Sequence, residues 1–104
     1  MSLLILAPSV AISADGWQSY MHMTSNYFEG LGENHRIVLT METPFHTCGW
    51  NSAAHVNLNV VGPETFKTYT SVILAAWLAN KKISINTNGC IGDRSKIIAV
   101  RIAK

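Results

Sequence analysis

One change of hydrophobic period does most to limit what this chain can fold into. In GPETFKTYTSVILAAWLANKK (residues 62–82), Phe66, Tyr69, Ile73, Ala76 and Trp77 recur at helical spacing. Val72 and Leu74 widen that stripe, and Lys67, Thr68 and Ser71 occupy the opposite arc. Pro63 suits the first helical turn, Glu64 complements the positive helix N-terminus, and Lys81 and Lys82 suit the C-terminal end. Tyr69 and Trp77 are therefore read as core residues that pack a helix on a sheet, not as a ligand box. Elsewhere the legible period is two.

Three β segments precede the helix. Residues 17–28 are rich in aromatic and β-favouring side chains but alternate poorly. In HRIVLTMET, Ile37, Leu39 and Met41 share one face, while Arg36, Thr40 and Glu42 point away beside Val38. The turn-like EGLGENH between these segments predicts a hairpin. AHVNLNV predicts a third strand with Ala54, Val56, Leu58 and Val60 inward, and His55, Asn57 and Asn59 on a wet outer face.

Two segments follow the helix. KISIN places Ile83 and Ile85 inward, with Ser84 and Asn86 outward. SKIIAVRI divides Ile98, Val100 and Ile102 from Ile97, Ala99 and Arg101. Between them TNGCIGDRS carries turn chemistry at Asn88-Gly89 and again at Gly92-Asp93. The predicted fold is mainly β with one helix, in the order β-β-β-α-β-β. That is the order of a small OB-like five-stranded barrel whose helix plugs the gap between strands three and four. Residues 15–104 form one such domain, since 104 residues supply a single core.

Residues 1–14 read as a signal-like leader or N-terminal arm. An apolar run over residues 3–12 leads into Ala11-Ile12-Ser13-Ala14, small residues suited to cleavage, although no Lys or Arg precedes the run. The run is too short to span a bilayer, so no membrane insertion is expected. An even pair of cysteines in an exported chain, secreted or periplasmic, predicts one disulfide, Cys48–Cys90. Closing a loop of about forty residues stabilises by roughly 4 kcal/mol in the chain-entropy treatment.

The histidines and cysteines invite a sharper reading, and their spacing argues against it. His46 and Cys48 form one unconventional pair, and no second pair has the spacing of a structural zinc site, so no metal or other cofactor is expected. A Cys-His nucleophile would need Cys48 as a free thiol. No nucleophile elbow, P-loop or dinucleotide fingerprint is present, and the six acidic residues form no evident acid/base pair. No catalytic residue is assigned and no enzyme is expected. A formal charge of +2 is too small for a nucleic-acid surface, and the basic residues from Lys81 to Lys104 read as a solvated face.

What remains is neutral polar surface. His55, Asn57, Asn59, Ser84, Asn86 and Asn88 are predicted outward, and Tyr20, His22, Thr24, Asn26 and Tyr27 form a second polar-aromatic set. Trp50-Asn51 lies in a loop. Amide and hydroxyl groups beside an aromatic platform suit a sugar, whose one face is apolar. Charged residues make up only 13% of the chain and hydrophobic ones 48%, an apolar excess that a small core cannot bury alone and that points to self-association.

From Phe66 onward, FKTYTSVILAAWLANKKISINTNGC…SKIIAVRI resembles the helix-plus-strands half of the B subunits of pertussis-like and subtilase-type AB5 toxins, with Asn80 where that pattern usually has Gly. The resemblance implies a secreted OB-fold subunit that assembles into a pentameric homo-oligomer, binds cell-surface glycans, often sialylated, and delivers a separate catalytic A subunit. Ser19, Thr24, Ser25 and Tyr27 stand in the first-strand region where it places sugar contacts, and Trp50 and Asn51 join them as candidate glycan-binding residues. The competing expectation is an exported, non-enzymatic interaction protein, such as a periplasmic inhibitor or assembly factor, with no glycan role.

Overall fold

A computed structural model describes residues 15–104, so the leader expected over residues 1–14 lies outside the described residues. The strands are β1 (Gly16–Trp17), β2 (Met23–Glu29), β3 (Arg36–Met41), β4 (Ala53–Asn57), β5 (Ile83–Ile91) and β6 (Arg94–Ile102). A one-turn helix α1 (Leu58–Val61) and the main helix α2 (Pro63–Leu78) separate β4 from β5, and a short 3-10 turn (Gly32–Asn34) separates β2 from β3. The sheet order is β1-β5-β6-β4-β3-β2.

β1 and β2 are successive parts of one run of chain, and Met21 between them bridges to Ile83. The run therefore pairs with β5 at its start and with β3 at its end. Both edges of the sheet belong to the same stretch, which closes it as an OB-like barrel with a broken first strand. β4 and β6 pair in parallel and the other pairs are antiparallel. The predicted fold class is the one observed.

The period-two faces fill the barrel as the alternation requires. Ile37, Leu39 and Met41 of β3 meet Ala54 and Val56 of β4, Ile83 and Ile85 of β5, and Ile97 of β6, with Phe66, Ile73 and Ala76 of α2 closing one side. Each fully buried aliphatic side chain contributes about 2 kcal/mol. Cys48 and Cys90 form a disulfide across 42 residues, tying the β3–β4 loop to β5 and pointing to a non-reducing environment.

The end of α2 explains Asn80. The residue has φ 53°, the left-handed conformation in which Asn is the commonest substitute for Gly. The Asn80 N–H donates to the Trp77 carbonyl at 3.2 Å and the Lys81 N–H to the Ala76 carbonyl at 2.9 Å, the paired bonds of a Schellman cap. Trp77 itself is 42% exposed and not the core residue its spacing predicts. It stands at the margin of the stripe, where Ile73 and Ala76 already fill the contact.

Three further departures have local causes. The third strand stops at Asn57, whose side chain accepts from the Asn59 N–H at 2.9 Å and caps α1, so Val60 emerges exposed. In β6 the register steps from Asn86–Ala99 to Thr87–Ile97, which leaves Ile98 as a bulge. Alternation flips there, so Ile97 is buried and Ile98 exposed. Asn88-Gly89 forms a second bulge inside β5, and only Gly92-Asp93 turns the hairpin.

Candidate functional site

The outer face of the barrel carries the chemistry. Across the ladder Glu29 pairs with Arg36 and Arg36 with Asn57, while Tyr27 pairs with Val38 and Val38 with His55. Two-residue periodicity puts these two rows on one face, away from the core. Here β4 lies between β3 and β6, and all five of its residues are buried, His55 to 2% exposure and Asn57 to 8%. The wet outer face predicted for this strand is thus enclosed, because its neighbours carry arginines on the same side.

A cleft of about 360 Å³ opens over β3 and β4. The cleft is lined by Asn34 of the β2–β3 turn, Arg36 of β3, His55 and Asn57 of β4, Asp93 of the β5–β6 turn and Arg94 at the start of β6. Glu29 ties the two arginines together. Its carboxylate accepts from Arg36 Nη2 at 2.5 Å and from Arg94 Nη1 and Nη2 at 3.2 and 3.3 Å. Hydrogen bonds from Arg94, then from Arg36, hold the Glu29 carboxyl below its ordinary range against the opposing effect of burial. Arg36 Nη1 also donates to the Asn34 carbonyl at 2.9 Å.

His55 is the anomaly. Neither ring nitrogen has a hydrogen-bond partner among the described residues. Burial, followed by the charges of Arg94 and Arg36, pushes its pKa down to about 4, with Glu29 and Asp93 opposing. The imidazole is therefore neutral near pH 7 and offers one N–H donor and one lone pair. Arg94 Nε is likewise buried without a hydrogen-bond acceptor, 3.8 Å from an Asp93 carboxylate oxygen. The Arg94 guanidinium lies 5.6 Å from the centre of the Trp50 ring, which is 37% exposed.

The candidate residues from the sequence do not gather at one place. Trp50 lies beside the cleft against Arg94, and its backbone N–H donates to the Asp93 carbonyl at 2.8 Å. Tyr27, 38% exposed, shares the outer face with Glu29. Thr24 and Ser25 lie further back along β2, where both hydroxyls meet Thr40 Oγ1, at 2.7 and 2.6 Å. Ser19 is exposed in the link between β1 and β2, and the Asn51 amide sits against its own loop at Gly49. Arg36, Asn34, Arg94 and Glu29, which build the cleft, carry no local sequence signal. The His-x-Asn of β4 was the one sequence signal pointing here.

His46 has a different role. Its Nε2 bonds the Ala53 carbonyl at 2.5 Å, and its Nδ1 accepts from the Cys48 N–H at 3.0 Å. The proton is therefore on Nε2. Burial lowers its pKa, although the bond to Ala53 and the Asp93 charge oppose this. With Cys48 in the disulfide, neither member of the His46–Cys48 pair is free to bind a ligand. Among the described residues no three His, Cys, Asp or Glu side chains converge to hold a metal ion, and no helix is long and apolar enough to cross a membrane. No family model matches the chain, and no curated protein or solved structure is significantly similar to it.

Proposed function

We propose that this chain is an exported, non-enzymatic carbohydrate-binding module that holds its ligand in the cleft over β3 and β4. The observation that carries this reading is His55, buried without a partner on the wall of a cleft otherwise rich in paired polar groups. Buried polar atoms without partners are rare in folded proteins and mark places where something else completes the bonding. The position also supports it. Small OB barrels bind oligosaccharides and oligonucleotides on the face of their second and third strands, between the loops that follow strands one and four. Those features here are β3, β4, the Asn34 turn and the Gly92-Asp93 turn.

Between those two ligand classes charge favours sugar. A nucleic-acid strand needs uncompensated cations, whereas Glu29 already occupies both arginines. Trp50 at the rim supplies an aromatic surface for a pyranose. In this reading the chain works as a homo-oligomer, a pentamer if the toxin-subunit resemblance holds, carrying a catalytic A subunit encoded separately. Exposed Trp77, Leu78, Ile98 and Ile102 support self-association. The same apolar residues favour the second reading, an interaction protein with no glycan role.

A glycan array probed with the purified chain, beside sedimentation velocity, separates the two. Binding to a defined set of glycans by an oligomer is expected. A monomer that binds no glycan would eliminate the carbohydrate reading.

A further inference from the structure

We infer that the cleft over β3 and β4 takes a neutral, hydroxyl-rich pyranose through His55, not an acidic sugar. This rests on the carbohydrate reading above and narrows it. The argument is a count of charges, donors and acceptors. Two guanidinium groups, Arg36 and Arg94, face two carboxylates, Glu29 and Asp93, so the formal charges of the cleft cancel. An acidic sugar would enter with no net positive charge to receive it, and its carboxylate would have to displace Glu29 from three charge-assisted bonds to the two arginines.

The unpartnered atoms make the sharper case. Arg94 Nε is a donor without a hydrogen-bond acceptor. Held neutral between two arginines, His55 has one ring nitrogen that must donate and one that must accept, and neither is satisfied. A carboxylate, sulfate or phosphate ester presents only acceptors at its charged group, which can meet the His55 N–H but not the lone pair of its other nitrogen. A hydroxyl both donates and accepts. One hydroxyl can complete whichever His55 nitrogen faces the cleft, donating or accepting according to the tautomer, and a neighbouring hydroxyl can take the Arg94 Nε–H, while the other imidazole nitrogen points to the opposite side of the ring. Asn57 and Asn34 add amide groups on the same walls. The Trp50 ring, 5.6 Å from the Arg94 guanidinium and partly exposed at the rim, offers a surface for the apolar face of the sugar.

The test is a titration of the full chain with methyl α-D-galactopyranoside, methyl α-D-glucopyranoside and methyl α-D-mannopyranoside, and separately with the methyl glycoside of N-acetylneuraminic acid. The readouts are calorimetry and the ring nitrogen signals of His55. At least one neutral glycoside should shift the His55 ring signals and bind tenfold or more weakly to His55→Phe, while the acidic glycoside leaves those signals unmoved. The ring signals of the unaltered protein decide the matter even if the variant fails to fold. If the acidic glycoside is the one that moves His55, this inference falls and the carbohydrate reading stands. Glycan binding that leaves His55 unmoved has the same consequence. If no glycan of either kind binds, on the array or in titration, both fall.

Discussion

His46 and His55 stand on either side of one turn, both out of contact with water, and they illustrate two different uses of a buried imidazole. His46 is held at both nitrogens, by the Ala53 carbonyl and the Cys48 N–H, in the corner that the disulfide closes. His55 is held at neither. Burial alone therefore says nothing about function. A buried polar ring with both bonds made is part of the framework, and one with both missing marks a place the framework leaves open.

If that division holds, damage to the disulfide corner should act on stability first. Replacing Cys48 and Cys90 by Ala is expected to cost about 4 kcal/mol. For a domain of this size that lowers Tm by roughly 15–30 °C. Thermal melts of the variant and of the reduced protein should agree. A shift of only a few degrees would mean that the corner is held by packing alone.

Acid should affect both histidines, but unequally. A histidine whose folded pKa is depressed binds its proton more readily in the unfolded chain, so stability rises with pH across the interval between the two values. For His55 that interval runs from about 4 to the ordinary 6.5. The stability present above pH 6.5 is lost as pH falls through it, to a limit of about 3 kcal/mol. His46 adds in the same direction, since protonating its Nδ1 ends the bond from Cys48. Glu29 extends the loss to lower pH, because its depressed carboxyl stabilises only while ionised. Urea melts from pH 7 to pH 4 measure the slope, and His55→Phe should remove the larger part of the loss above pH 4. An unchanged slope in that variant would assign the titration to His46.

The framework was more legible in the sequence than the site, and the reason is range. Alternation of Ile37, Leu39 and Met41, Pro63 at the head of α2, and an even cysteine pair are local or self-evident signals, and each is reproduced. Alternation predicts a wet His55 because it gives a face but not what covers it. That depends on β6 lying parallel beside β4 and on Arg94 meeting Glu29 across 65 residues. The Ile98 bulge and the Asn88-Gly89 bulge are equally long-range. Asn-Gly is good turn chemistry in either setting, and only the pairing of β5 with β6 decides which of two turns is used.

The smaller effects separate the two rings most directly. His46→Phe leaves the Ala53 carbonyl and the Cys48 N–H unpaired in a dry corner, a loss of about 2 kcal/mol. His55→Phe removes two buried polar atoms that had no partners, and an aromatic ring of similar volume should leave stability unchanged or raise it by about 1 kcal/mol. The two substitutions are chemically identical and should differ in sign or nearly so. Equilibrium unfolding at pH 7 reads both, with glycoside titration as the second axis. His46→Phe should retain ligand binding once folded, and His55→Phe should lose it. Were both substitutions to cost the same stability, His55 would have an internal partner after all, and the cleft would lose the feature that marks it as a binding site.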